Sequence, residues 1–125
     1  MNVQRPETLN LVPFVSVDKM MKLVLAVGID RFMVELAGFV EEDFARWERF
    51  DKVPRIAAHS AEGVIELMPT SDGATYGFKY VNGHPKNTRR GRQTVTAFGV
   101  LASVDTGYPL LLSEMTILTA LRTAA

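Results

Sequence analysis

The sequence predicts an α+β fold, with two N-terminal helices and a C-terminal helix packed on a mainly antiparallel sheet. Three observations lead there. Apolar residues recur at helical spacing between Asp18 and Trp47. From Arg55 to Leu112 the chain changes to β-rich runs separated by turn residues. Helical sequence returns after Ser113. The 125 residues match the size of one domain, and a hydrophobic content of 47% is enough for a single core.

The first run, Leu11 to Val17, alternates weakly and reads as a short strand. Ser16 or Asp18 can cap the helix that follows, and Gly28 stops it. Its apolar positions Met20, Met21, Leu23, Val24, Leu25 and Val27 are dense, which predicts a helix covered on most sides. Asp30 can cap a second, longer helix, where Phe32, Leu36, Phe39, Val40, Phe44 and Trp47 keep helical spacing. Glu41, Glu42, Asp43, Arg46, Glu48 and Arg49 fill its remaining face, which reads as solvated. Pro54 ends the helical region.

Arg55 to Ser60, Val64 to Met68, Thr75 to Val81, Thr94 to Val104 and Pro109 to Leu112 read as strands. Ala61-Glu62-Gly63, Ser71-Asp72-Gly73 and Asp105-Thr106-Gly107-Tyr108 read as turns, and turns this short favour antiparallel neighbours. The strand carrying Lys79 is expected to stop at an Asn82-Gly83 turn. A longer polar loop, Asn82 to Arg92, then holds Lys86, Arg89, Arg90 and Arg92. Ser113 or Thr116 can open the last helix through Ile117, Leu118, Leu121 and Arg122. No Gly, Asn or Pro closes that helix before Ala125, which leads us to expect a chain cut from something longer.

Composition narrows the chemistry. Basic and acidic residues both number 14, so nothing steers the chain toward nucleic acid or an acidic membrane. Without cysteine there is no disulfide, thiolate metal site or cysteine nucleophile. His59 and His84 lie far apart without metal-ligand spacing, so no metal site is expected. No secretory signal or membrane span is read, and a cytoplasmic protein is expected. The Lys86 to Arg92 cluster lacks interleaved aromatics and reads as a solvated loop.

Four residues stand out against their surroundings. Arg55 opens a strand, and Glu66 sits alone between Ile65 and Leu67. Lys79 shares a strand face with Gly77 and Val81, and Arg122 lies on an otherwise apolar helix. Each is open to a bland reading as a solvated or snorkelling charge. Taken together they supply three cations and one carboxylate. Arginine grips a carboxylate with paired hydrogen bonds, lysine adds a compact charge, and a carboxylate complements an amine. That is the charge pattern an amino acid needs.

Longer stretches carry a resemblance. Phe78 to Pro85, Thr94 to Leu101, Thr106 to Thr116 and Thr119 to Ala125 resemble the ornithine cyclodeaminase/mu-crystallin family. Arg55 to Ser60 and Val64 to Pro69 continue it, so the resemblance runs from about Leu11 to Ala125. It implies an NAD-dependent conversion of L-ornithine to L-proline with loss of ammonia, in which hydride leaves the α-carbon and later returns. It also implies that Arg55, Lys79 and Arg122 hold the carboxylate and that Glu66 meets the distal amine. Thr94, with Arg122, would contact NAD. A homodimer is implied, with the chain as its substrate-binding and dimerisation domain.

The sequence also departs from that family. Members of that family carry a Gly-rich dinucleotide-binding Rossmann domain directly after the segment matching Ala125, so that domain is expected to be absent from this chain, in which no Gly-x-Gly-x-x-Gly occurs. The catalytic aspartate that the family places there is absent too, so this chain is expected to be inactive alone. Two other readings stand beside this one. One is a non-enzymatic oligomerising or amino-acid-binding module. The other is a fragment of a family ketimine reductase or amino-acid dehydrogenase, which would have no distal amine to meet Glu66.

Overall fold

A computed structural model describes residues 11–125. The predicted first strand shrinks to β1, Phe14–Val15. Helix α1, Val17–Val27, begins where Ser16 accepts the Lys19 backbone N–H on its hydroxyl, as its residue type predicts. Gly28 ends α1 at φ 88°, a conformation that costs glycine little. The same Gly28 is the N-cap of α2, Ile29–Ala45. Asp30 therefore lies inside the first turn and is not the cap, although its charge still favours that end.

The second helix stops earlier than predicted. A 3-10 turn, Trp47–Arg49, follows it, and a short strand β2, Asp51–Lys52, precedes Pro54. Strand β2 is not predicted, because two charged residues carry no alternation. The predicted strands appear as β3 Ile56–His59, β4 Val64–Ser71, β5 Thr75–Gly83, β6 Val95–Ser103 and β7 Pro109–Glu114.

These strands form one sheet in the order β1-β7-β6-β5-β4-β2, with β3 also pairing β4. All described pairings are antiparallel except β1 with β7, so the sheet is mixed. Strands β2 and β3 share one edge of β4, at Thr70–Ser71 and at Val64–Leu67.

The Asn82-Gly83 turn is not formed. Asn82 pairs with Ile65 and Thr96, and Gly83 with Val64 and Val95, so β5 runs on through both. Cross-strand partners outweigh the local preference. The Asn82 amide donates to the Thr96 hydroxyl, and its carbonyl meets the His84 ring at 3.1 Å. The loop beyond contains a 3-10 helix, Pro85–Arg90, and Lys86 reaches Glu62 at 3.3 Å.

Helix α3, Thr116–Ala124, opens at Thr116, one of the two predicted starts, but its N-cap is Met115 rather than Ser113 or Thr116. Glu114 serves the cap, accepting the Ile117 N–H at 2.9 Å. Thr116 instead bonds β6, accepting the Ala97 N–H at 2.9 Å.

The core is thinner than the composition suggests. Among the described residues only Met20 and Ala97 are buried apolar side chains. Helix α1 is not covered on most sides, since Leu25 keeps 75% of its surface exposed. The reason is architectural: helices meet one face of the sheet, and the other face is bare. Strand parity puts Ile65, Leu67, Phe78, Tyr80 and Phe98 on that bare face, with Tyr80 and Phe98 stacked at 4.9 Å.

Candidate functional site

The sheet register assembles the site on the face that carries the helices. Met68 of β4 lies opposite Lys79 of β5, and Lys79 lies opposite Gly99 of β6. Gly99 in turn lies opposite Ser113 of β7. One position along, Glu66 lies opposite Val81. Arg55 precedes β3, whose Ala57 pairs with Glu66. Alternation thus puts Arg55, Glu66, Met68 and Lys79 on one surface.

Gly99 matters beside Lys79. A β carbon there would meet the Met115 side chain and the Phe78 carbonyl, each at 3.1 Å. Its absence lets Met115 lie over the strand, and Met115 helps line a cavity of about 510 Å³ with Lys79, Met68, Leu23 and Leu118. A second hollow of about 670 Å³ lies alongside, lined by Arg122, Phe44, Trp47 and Phe50 among others. Met68 and Thr70 line both and form the ridge between them.

Electrostatics ties the four charged residues together. Desolvation lowers the Lys79 pKa below its ordinary value of 10.5. The Arg122 and Arg55 charges lower it further, and Glu66 opposes them. Arg55 Nη1 stands 3.4 Å from Glu66 Oε1 and the same distance from Oε2. With 61% of the Arg55 side chain exposed, that pair is a weak tether that a ligand can displace. Three cations facing one carboxylate leave a local positive excess, which suits an anion.

The predicted residues divide accordingly. Arg55, Glu66, Lys79 and Arg122 come together, although Arg122 and Arg55 are exposed. Thr94 is half-buried just before β6, and its carbonyl accepts the His84 N–H at 2.8 Å. Thr94 and Arg122, the residues expected to meet NAD, sit on different elements, Thr94 just before β6 and Arg122 on α3. His59 is exposed at the end of β3. Among the described residues no group of three His, Cys, Asp or Glu is placed to hold a metal.

Two contributors escaped the sequence reading. Met68 enters the sequence reading only as the end of a strand, although its two-residue spacing from Glu66 already puts it on the same face. Arg46 looked like part of a solvated helix face. It bonds Asp43 at 2.8 Å and Asp72 at 2.9 Å, bracing α2 against the β4–β5 turn.

Residues 17–125 match the ornithine cyclodeaminase/mu-crystallin family. The chain belongs to that family. An ornithine cyclodeaminase of Brucella suis biovar 1 is 79% identical over 117 residues, which cover 94% of this chain and 33% of that protein. This family member thus spans about a third of the length of that curated relative. Among solved structures, a lysine cyclodeaminase described with L-lysine, L-ornithine and L-2,4-diaminobutyric acid superposes with TM-score 0.82 at 27% identity. It is matched over 90% of this chain and 35% of its own. An archaeal alanine dehydrogenase dimer with bound NAD superposes with TM-score 0.77 at 29% identity, over 90% of this chain and 33% of its own. The mixed sheet with its helices is therefore a fold shared with both of these proteins. No described helix is long and apolar enough to cross a membrane.

Proposed function

We propose that this chain is the substrate-binding and dimerising part of an NAD-dependent ornithine cyclodeaminase, an ammonia lyase converting L-ornithine to L-proline. The observation that carries this reading is Lys79, half-buried in a cavity and flanked by Arg122, Arg55 and Glu66. Lys79 contributes a compact charge and the two guanidinium groups planar forks, so together they hold the substrate carboxylate. Glu66 takes the distal ammonium. Arg55 is drawn from Glu66 to the carboxylate as the substrate arrives, so both ends of the ligand are sensed together. The residues fix the orientation of the α-carbon. When bound, NAD supplies the hydride acceptor and donor. The chain alone is expected to hold ornithine without turning it over, in keeping with a cytoplasmic enzyme of proline metabolism.

The bare face of the sheet fits a second copy of the chain. Ile65, Leu67, Phe78 and Phe98 there are between 38% and 45% exposed, which leaves apolar strands without cover. A homodimer buries them.

NMR titration of the chain with L-ornithine tests the site. We expect saturable shifts around Lys79, Glu66 and Arg122, and their loss in Lys79→Met. A wild-type chain with no saturable shifts contradicts the reading. A second reading has one observation behind it. The Arg55–Glu66 pair would also suit a family reductase or dehydrogenase acting on a monoamine, with Glu66 serving only to hold Arg55. Glu66→Gln separates the two, because only the cyclodeaminase reading makes it weaken L-ornithine more than L-norvaline.

A further inference from the structure

We propose that Met68 and Val81 set the length of the aliphatic chain accepted between the cations and Glu66. They are specificity-determining residues for an α,ω-diamino acid. The inference rests on the site reading above and adds what measures the ligand.

The register lays four side chains of β4 and β5 on a two-by-two grid. Glu66 stands opposite Val81, and Met68 stands opposite Lys79. The opposite charges therefore occupy one diagonal and the apolar pair the other. Diagonal neighbours on a sheet face lie roughly 7–8 Å apart. A ligand with its carboxylate at Lys79 and its ammonium at Glu66 lies across the centre of the grid. Its methylene groups then rest on Met68 and Val81, both half-buried.

The two residues bound different ends of that path. Met68 lines the Lys79 cavity and the Arg122 hollow, so it stands between two of the cations that share the carboxylate. Its unbranched thioether adapts to the chain above it. Val81 faces Glu66 directly, and its branched side chain is stiff. A shorter side chain at 68 lets a longer ligand settle. A larger one at 81 shortens the path to Glu66.

The test uses the 125-residue chain. It is titrated by NMR with L-2,4-diaminobutyrate, L-ornithine and L-lysine, and the dissociation constants are compared as ratios. Met68→Ala is expected to move the ornithine-to-lysine preference toward lysine by about tenfold, the usual worth of one methylene in an apolar site. Val81→Ile is expected to move preference toward diaminobutyrate by a similar factor. Met68→Leu nearly conserves volume and is expected to leave the ratios within about twofold. Should Met68→Ala fail to fold, Met68→Val and Val81→Ile read the same ratios. Ratios unchanged in folded variants that still bind ornithine overturn this inference alone. A wild-type chain that binds none of the three ligands overturns the site reading and this inference with it.

Discussion

Desolvation and two neighbouring guanidinium groups lower the Lys79 pKa, so its charged form is disfavoured until an anion arrives. The sign has consequences for pH. Between the lowered folded value and the ordinary 10.5, the unfolded chain binds more protons, so the Lys79 contribution to stability improves as pH rises through that window. NMR titration of the lysine side chains should find Lys79 losing its proton below the exposed lysines. Glu66→Gln should lower its pKa further, because the opposing carboxylate charge is gone. Arg122→Met should raise it. A Lys79 that titrates with the surface lysines, unmoved by either change, would remove the electrostatic basis of the site. Lys79→Met should weaken L-ornithine binding by about 2–5 kcal/mol, the cost of losing one partner of a desolvated charge pair.

At the level of elements, two carboxylates hold the scaffold under the site. Glu114 is 5% exposed and caps α3, the helix that carries Arg122. Glu114→Ala should cost about 1–2 kcal/mol in urea unfolding, the usual worth of a cap. Asp72 accepts the Thr75 and Ala74 N–H groups and bonds Arg46, which lowers its pKa from 3.8 to about 2. Its contribution is full above 3.8 and lost as pH falls through about 2. The stability difference between wild type and Asp72→Asn should therefore be largest near neutral pH and shrink in acid. The five main strands and three helices were legible because alternation, turn residues and helical spacing are local signals. Asn82-Gly83 misled because its local turn preference lost to pairing with β4 and β6. The Glu114 cap was hidden because a glutamate closing a strand carries no local mark of capping.

For the whole molecule, the bare sheet face and the sparse core belong together. Among the described residues, three helices cover one side of seven strands, and apolar residues of the other side remain exposed. Composition announced enough apolar residues for a core but not which face would lack a cover. Phe98→Glu should shift a dimer to monomer in sedimentation, whereas a dimer unchanged by it would place the interface elsewhere. The four charged site residues were legible as exceptions to their surroundings. Their convergence was not, because it depends on which strands pair. The most direct measurement is a crystal structure of the chain with L-ornithine. The expected density has the α-carboxylate between Lys79, Arg55 and Arg122, and the distal ammonium within hydrogen-bond distance of Glu66. Ornithine bound end for end, or away from Lys79, would contradict the proposed site.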